Sequence, residues 1–326
     1  MASRVIANYQ LLTIDCQLHF GLGYYTGGGL PKANDPVEAR MIRSLLFVPG
    51  DSEKKLAKGL TTAADCLILD LEDSVVPANK EAARRMTSDF LGTAGVRDCG
   101  KLFFVRVNAL QSGMAIADLA EVMRAHPDGI VLPKSRSGAD IAQLHDYLDA
   151  LETAYRRAKG PAKILAIVTE LPASLFALST YKDSSARLWG MMWGAEDLSV
   201  ELGARQNRLE GRLRPPFELA RSLCLYAAAH AGVVAVDTVS PVINDASALR
   251  EETVAAKGDG FTAKAAVHPL QVPIINEQLS PSSEEVTWAK RVLAAFESSE
   301  AGAINLDGKM LDRPHWRVAR RLLGLE

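Results

Sequence analysis

The residues best suited to chemistry are acids that end apolar runs. Residues 67–73 read Leu-Ile-Leu-Asp-Leu-Glu-Asp, residues 167–170 read Ile-Val-Thr-Glu, and residues 193–197 read Trp-Gly-Ala-Glu-Asp. Side chains alternate along an extended segment, so Leu67, Leu69 and Leu71 take one face and Asp70 and Glu72 the other. Glu170 and Asp197 each stand where an apolar run gives way to a loop, with no His or Cys beside them. Carboxylates without softer donors suit Mg²⁺ or Mn²⁺, with water and substrate completing an octahedron. The same two acids are equally placed to cap the following helix by accepting first-turn N–H groups. Spacing alone leaves both readings open.

Other polar residues have plainer alternatives. In the run 102–108, Arg106 and Asn108 share a face, and Arg106 either pairs with the acids or acts on a substrate. His268, before Pro269, could serve as a ligand or a base, but a lone His at a strand end more often hydrogen-bonds a loop. Lys54, Lys55 and Lys58 form either a solvated helix face or a phosphate contact. Trp189, Met191, Met192 and Trp193 read as core packing. No Ser or Cys sits in a G-x-S-x-G setting.

The elements that must position these groups follow a rhythm. Short apolar runs occur at Ser44–Val48, Cys66–Leu71, Leu102–Val107, Gly129–Leu132, Ile164–Thr169, Leu188–Trp193, Val233–Val239 and Thr262–Val267. Between most of them lie helical patterns, clearest at Asp51–Leu60, Ala78–Phe90, Ala139–Arg157, Pro216–His230 and Ala246–Lys257. Eight strands alternating with helices predict a (β/α)₈ TIM barrel, an α/β fold whose acids point into the lumen at the C-terminal rim. A doubly wound open sheet is the alternative, but Val48-Pro49-Gly50-Asp51 is not the glycine-rich phosphate loop such a sheet carries. The chain divides into an N-terminal extension at 1–42, the barrel at 43–275 and a C-terminal helical arm or lid at 276–326. The arm holds a helix around Glu284–Phe296, a Gly/Ala-rich turn and a further segment, Met310–Leu323. The segment Ala301–Leu323 reads as having few residues of its own to pack.

Composition narrows the class. The 326 residues carry 37 Lys+Arg against 39 Asp+Glu, a net charge of −2 that argues against nucleic acid as a partner. Cys16, Cys66, Cys99 and Cys224 form no C-x-x-C pair, which excludes the usual zinc and thioredoxin patterns and fits a reducing cytoplasm. No apolar run approaches the ~18–20 residues of a membrane span, and the start lacks a secretion signal.

Taken together, the strings RSLLFVPG, LILDLEDSV, FFVRVN, VLPK, IVTE, WGAEDLSVELGA, AVDTV, GFTAKAAVHPLQ and INLDGKMLDRP resemble the citrate lyase β-subunit-like family. These are barrel CoA-thioester lyases related to malyl-CoA and citramalyl-CoA lyases. The resemblance runs from Arg43 almost to the C-terminus and leaves residues 1–42 outside. It implies Glu170 and Asp197 as Mg²⁺ ligands, with Mn²⁺ as a substitute. It implies Arg106 at the reacting carbonyl, Gly194 and Ala195 gripping the carboxylate of the small acid, and Asp312 as an acid serving the adjacent subunit. Arg43 and the lysines after VPG, Lys55 and Lys58 among them, fall in its CoA-binding region. Glu72 joins the substrate-binding set from its place on the inner face. Ala263 departs from the pattern, standing where glycine is usual. The implied activity is Mg²⁺-dependent cleavage or formation of a 3-hydroxyacyl-CoA acid, with acyl-CoA and a 2-oxo acid as small-molecule partners, in a homotrimer or homohexamer. Thioester hydrolysis is accessible at the same carbonyl. Alternatives are a citrate lyase β subunit acting on a carrier-bound citryl thioester, a CoA-independent 2-oxo-acid aldolase, and a non-catalytic barrel that senses a metabolite.

Overall fold

The computed structural model describes residues 41–157, 160–298 and 302–325. Apart from Met41 and Ile42, the expected N-terminal extension lies outside them. Eight parallel strands close a barrel: β1 (Ser44–Pro49), β2 (Cys66–Asp70), β3 (Leu102–Arg106), β4 (Gly129–Leu132), β5 (Lys163–Ile167), β6 (Leu188–Met192), β7 (Val234–Asp237) and β8 (Ala263–Ala266). Each strand pairs with its neighbours in sequence, and β8 returns to β1 with Leu45 beside Ala265.

Alternation along the strands builds two apolar layers. Leu45, Ile68, Phe104, Val131, Leu165, Met192, Val236 and Ala265 pack together inside the barrel. Their neighbours Leu46, Leu67, Leu69, Phe103, Val105, Ile130, Met191 and Ala235 pack against the surrounding helices. The strands are buried on both faces, which is why they read as continuous apolar runs.

Helices follow the strands and start on recognisable signals. Ser52 caps α1 (Glu53–Leu60). Then come α2 (Lys80–Gly92), α3 (Ala115–Val122), α4 (Gly138–Ala154, capped by Ser137), the short α5 (Pro172–Leu175) and α6 (Glu196–Glu201). The series continues with α7 (Pro215–Ala231), α8 (Ala246–Asp259, capped by Asp245) and α9 (Gln271–Leu279). Among the described residues no helix is long and apolar enough to cross a membrane.

Two expectations about the tail are corrected. The boundary placed at 275/276 falls inside α9, whose Ile275 and Leu279 belong to the main core and whose Asn276 Nδ2 donates to the Ala63 carbonyl at 2.8 Å. The outer helix needs its full apolar face, so the barrel runs to Leu279. Beyond it, Ser282 and Glu285 form a capping box at the start of α10 (Ser283–Glu297). A hairpin then follows, β9 (Ala303–Leu306) and β10 (Lys309–Asp312), before α11 (Arg313–Leu322). Asp307 and Gly308 turn the hairpin with φ of +54° and +77°, the left-handed pair that a two-residue hairpin turn demands. The arm also has a core of its own. Ala289, Val292, Phe296, Leu311 and Ala319 are buried together, with Trp288 and Trp316 against them.

A buried ionic network lies in the layer between barrel and helices. Lys264 Nζ, on a residue only 1% exposed, donates to Asp237 Oδ2 at 2.7 Å and to the Thr238 carbonyl at 2.9 Å. Trp193 Nε1 donates to Asp237 Oδ1 at 2.7 Å, and Arg221 Nε does so at 3.3 Å. Burial lifts the Asp237 carboxyl, but Lys264 and Arg221 more than reverse this and hold it below the usual range. Removing one partner of such a pair strands the other charge. Asp237→Ala is therefore expected to cost about 3–5 kcal/mol in urea unfolding, with Asp237→Ala/Lys264→Met recovering part of the loss. A single-variant loss below about 1 kcal/mol would show that the network contributes little.

Candidate active site

Strand register sets the first element of the site. Asp70 and Arg106 are direct neighbours across β2 and β3. Arg106 Nε and Nη2 donate to the two Asp70 oxygens, each at 2.7 Å. Burial lifts the Asp70 carboxyl, but the Arg106 charge and hydrogen bonds outweigh it and keep the group ionised below its ordinary range. Burial likewise works against the guanidinium, and Asp70 more than offsets that. Arg106 thus fulfils the pairing reading, yet its Nη1 stands outside the bidentate bond and faces Glu72 Oε2 at 3.0 Å. That oxygen is buried and lacks a hydrogen-bond partner in proper alignment.

The rim above β2 and β3 is braced from behind. Lys80 Nζ donates to the Leu71 and Glu72 carbonyls and to Asn108 Oδ1, at 2.7 to 2.8 Å. Asn108 donates through its backbone N–H and Nδ2 to Asp118 Oδ2, both at 2.7 Å. The loop carrying Glu72 is therefore fixed by a polar frame that needs no substrate.

Glu170 and Asp197 arrive from β5 and β6 at the same rim and line one cavity with Asp70, Asp73 and Arg106. Its volume is about 390 Å³, and Phe47, Met192 and Trp193 supply apolar wall. Neither acid caps a helix: the N-cap positions of α5 and α6 are Leu171 and Ala195, and no side chain caps either. Glu170 is 3% exposed. Burial, then the Asp197 charge, pushes its carboxyl up to about 8. Such a group calls for a cation. Among the described residues no three His, Cys, Asp or Glu side chains converge as a ligand cluster, so the chain offers two carboxylates. That fits Mg²⁺, which commonly keeps waters and substrate oxygens beside one or two carboxylates.

Gly194 and Ala195 line the cavity as expected, but the Gly194 N–H already donates to Thr169 Oγ1 at 3.0 Å. That N–H is therefore engaged within the rim itself. Glycine is needed at 194 for space, since a Cβ there would lie 2.8 Å from Glu170 Cγ.

The expectation for Arg43 is corrected. It precedes β1, at the barrel end opposite the rim, where Nε and Nη2 bind the Asp65 carboxylate at 3.0 Å and Nη1 donates to Ser280 Oγ at 2.9 Å. Its charge is spent on structure there, so it leaves the CoA-binding set. Lys55 and Lys58 are exposed on α1, Lys55 in the first turn on the rim side and Lys58 in the last. Asp312 stands on the arm, half-exposed, with Oδ1 2.7 Å from His315 Nδ1, and is not among the residues lining the cavity of its own barrel. His268 accepts from the Leu270 N–H at 3.2 Å, as its loop reading predicted.

Sequence reasoning missed Lys134, two residues past β4. Its backbone N–H donates to Glu170 Oε2, and its ammonium contacts Glu72 and lies 3.3 Å from Asp197. Burial disfavours the ammonium, but Glu72 outweighs this and holds it charged. The string VLPK was visible in the sequence, but not the left-handed turn that carries this lysine to the acids.

Residues 43–269 match the HpcH/HpaI aldolase/citrate lyase family. The chain is 33% identical over 289 residues to citrate lyase subunit beta of Escherichia coli (strain K12), covering 88% of this chain and 93% of that protein. It is 34% identical over 299 residues to a (3S)-malyl-CoA thioesterase of Cereibacter sphaeroides (strain KD131), covering 88% and 95%. Among solved structures, protein CitE from Mycobacterium tuberculosis in complex with magnesium, acetoacetate and coenzyme A superposes with a TM-score of 0.70 at 33% identity, over 87% of this chain and 97% of that one. The chain belongs to the HpcH/HpaI aldolase/citrate lyase family and is an enzyme of its citrate lyase β-like kind.

The buried carboxyl gives a test with a definite sign. A folded-state value near 8 against an ordinary 4.5 means that the folded chain holds this proton more tightly than the unfolded one. In metal-free protein, stability from this group falls as pH rises across that window. Glu170→Gln removes the penalty. In chelator at pH 8 the variant is expected to melt about 5 °C above wild type, with the difference shrinking towards pH 5. Mg²⁺ should raise only the wild-type Tm. Equal melting at both pH values would refute the raised carboxyl.

Proposed function

We propose that this protein is a Mg²⁺-dependent carbon–carbon lyase that cleaves, or in reverse forms, a 3-hydroxyacyl-CoA acid of the malyl-CoA or citramalyl-CoA type. The products are an acyl-CoA and a 2-oxo acid such as glyoxylate or pyruvate. The supporting observation is one cavity that joins the Glu170–Asp197 carboxylate pair to the outward edge of Arg106. Glu170 and Asp197 would hold Mg²⁺, which when bound would supply Lewis-acid polarisation of the substrate acid.

The chain's own groups account for the remaining charge and proton movements. The substrate hydroxyl gives up its proton to water at the open rim and becomes the carbonyl of the 2-oxo acid, while the electron pair of the breaking carbon–carbon bond passes into the thioester carbonyl. The resulting enolate oxygen needs a fixed cation, and Arg106 Nη1 is the part of the guanidinium not bound to Asp70. Asp70 locks the fork so that this edge is preorganised. Asp312 delivers a proton to the enolate carbon in cleavage and removes it in synthesis. His315 orients that carboxylate at 2.7 Å. Lys55, in the first turn of α1, is the better placed of the two lysines for CoA phosphates. Scattered cysteines with no C-x-x-C pair support a reducing, cytoplasmic setting.

Two neighbouring outcomes have specific support. The Cereibacter relative is named a thioesterase, and hydrolysis would use the same polarised carbonyl. The Escherichia coli relative is a citrate lyase subunit, so a carrier-bound citryl thioester is the second reading. The deciding experiment incubates acetyl-CoA or propionyl-CoA with glyoxylate or pyruvate and Mg²⁺, with products identified by mass spectrometry. New 3-hydroxyacyl-CoA acid is expected, lost in chelator, with Arg106→Lys raising the barrier by at least ~2–4 kcal/mol. Free acids alone point to thioester hydrolysis, and no turnover of any free acyl-CoA points to a carrier substrate.

We further propose that each site is completed by the arm of another subunit in a homotrimer or homohexamer, where closed rings let each protomer serve the next. Asp312→Asn and Glu170→Gln proteins, dissociated and reassembled together, should regain activity, because some sites then combine an intact barrel with an intact arm. Verified mixed oligomers that stay inactive would mean the arm serves its own barrel.

A further inference from the structure

Lys134 holds φ +49°, a left-handed backbone that side-chain-bearing residues rarely adopt. That turn aims two donors of one residue at the acids. The backbone N–H meets Glu170, while the ammonium meets Glu72 and lies 3.3 Å from Asp197 Oδ1 and 3.5 Å from Asp73 Oδ2. The side chain is only 26% exposed. Around it stand Glu72, Asp73, Glu170 and Asp197, with Arg106 bound to Asp70 and facing Glu72. The ammonium therefore rests on one of the two carboxylates that the functional reading assigns to a divalent ion. Two cations gathered on one carboxylate repel each other strongly in a site this buried.

We propose that Lys134 is the site's own exchangeable cation. Its ammonium gathers Glu72, Asp73 and Asp197 before the divalent ion arrives, then releases Asp197 to the ion and falls back on Glu72 and Asp73. The backbone N–H keeps hold of Glu170 throughout. This proposal rests on the metal reading of Glu170 and Asp197. It has two physical consequences. The acids stay assembled without metal, and the metal binds less tightly than the bare carboxylates would allow, because the ammonium competes for them.

The probe is Mn²⁺ binding to the full-length protein at pH 8, followed by the EPR signal of the free ion. Lys134→Met keeps the stem and removes the charge. An opposite charge at this distance commonly moves a carboxylate's proton affinity tenfold or more, so the Met variant should bind Mn²⁺ about tenfold tighter than wild type. Lys134→Arg, which keeps the charge, should stay near wild type. Without metal the Met variant should melt lower than wild type, and Mn²⁺ should raise its Tm by more. Unchanged or weaker Mn²⁺ binding by a folded Met variant overturns the exchange alone. Wild type that binds no Mn²⁺ overturns the functional reading together with the exchange. A crystal of the wild-type protein carrying Mn²⁺ gives an answer that needs no variant. The Lys134–Asp197 contact should open past about 4 Å, the limit of an ion pair. A contact kept with Mn²⁺ on Asp197 overturns the proposal.

Discussion

Like charges crowded at the end of a low-dielectric barrel are the constraint on which this site depends. Asp70, Glu72, Asp73, Glu170 and Asp197 share a rim with Arg106 and Lys134. The acids outnumber the cations, and the deficit falls on Glu170, whose carboxyl is driven upward by burial and by Asp197. Asp70 escapes because the register of β2 and β3 gives it the Nε and Nη2 edge of a guanidinium. The site is thus divided into a satisfied half, which holds Arg106 rigid, and an unsatisfied half, which calls for a divalent ion. A binding site for metal and an anionic substrate needs both halves.

The parallel barrel supplies this division at little extra cost. Adjacent strands end at one rim, so groups far apart in sequence become neighbours by register alone. The ionic network on the outer face of β7 and β8 extends the same logic. Trp193 belongs to the cavity wall, yet its indole N–H is anchored to Asp237, which Lys264 and Arg221 hold ionised. The wall beside Gly194 is therefore pinned from the helix side, and the close approach of Gly194 to Glu170 is kept by packing rather than by ligand.

The barrel was legible because its signal is repeated. The alternation in Leu67–Glu72 placed the leucines outward and the acids inward, and the order of apolar runs matched the order of strands. Glu170 and Asp197 were legible as a pair of rim acids, although spacing did not separate metal binding from capping; the cap positions of α5 and α6 removed the capping reading. Lys134 was not legible as a site residue because its role depends on a left-handed backbone that no periodicity encodes. Arg43 misled because a basic residue before a strand and one after it look alike in sequence, while the barrel sends them to opposite ends. The Asp307–Gly308 pair was a readable hairpin signal, but the stretch was read only as a turn because the strands on either side of it are just 4 residues each.

Arg43 also clarifies how the arm is held. Phe296, Leu311 and Trp316 give the arm its own small core, so Asp312 and His315 move with it as one unit. What fixes that unit to the barrel is the short joint after α9. There Arg43 donates to Ser280 Oγ at 2.9 Å, while Lys257 Nζ donates to the Ser280 carbonyl at 3.0 Å and to Glu285 at 2.7 Å. Arg43 is itself locked by Asp65 at the barrel's N-terminal end. The arm is therefore rooted at the end of the barrel away from the acids, while the acid it carries belongs, in the proposed chemistry, at the other end. A self-packed unit clamped at its root can present Asp312 outward without loosening the barrel. That is the arrangement required of a group whose proton transfer takes place at a neighbour's rim.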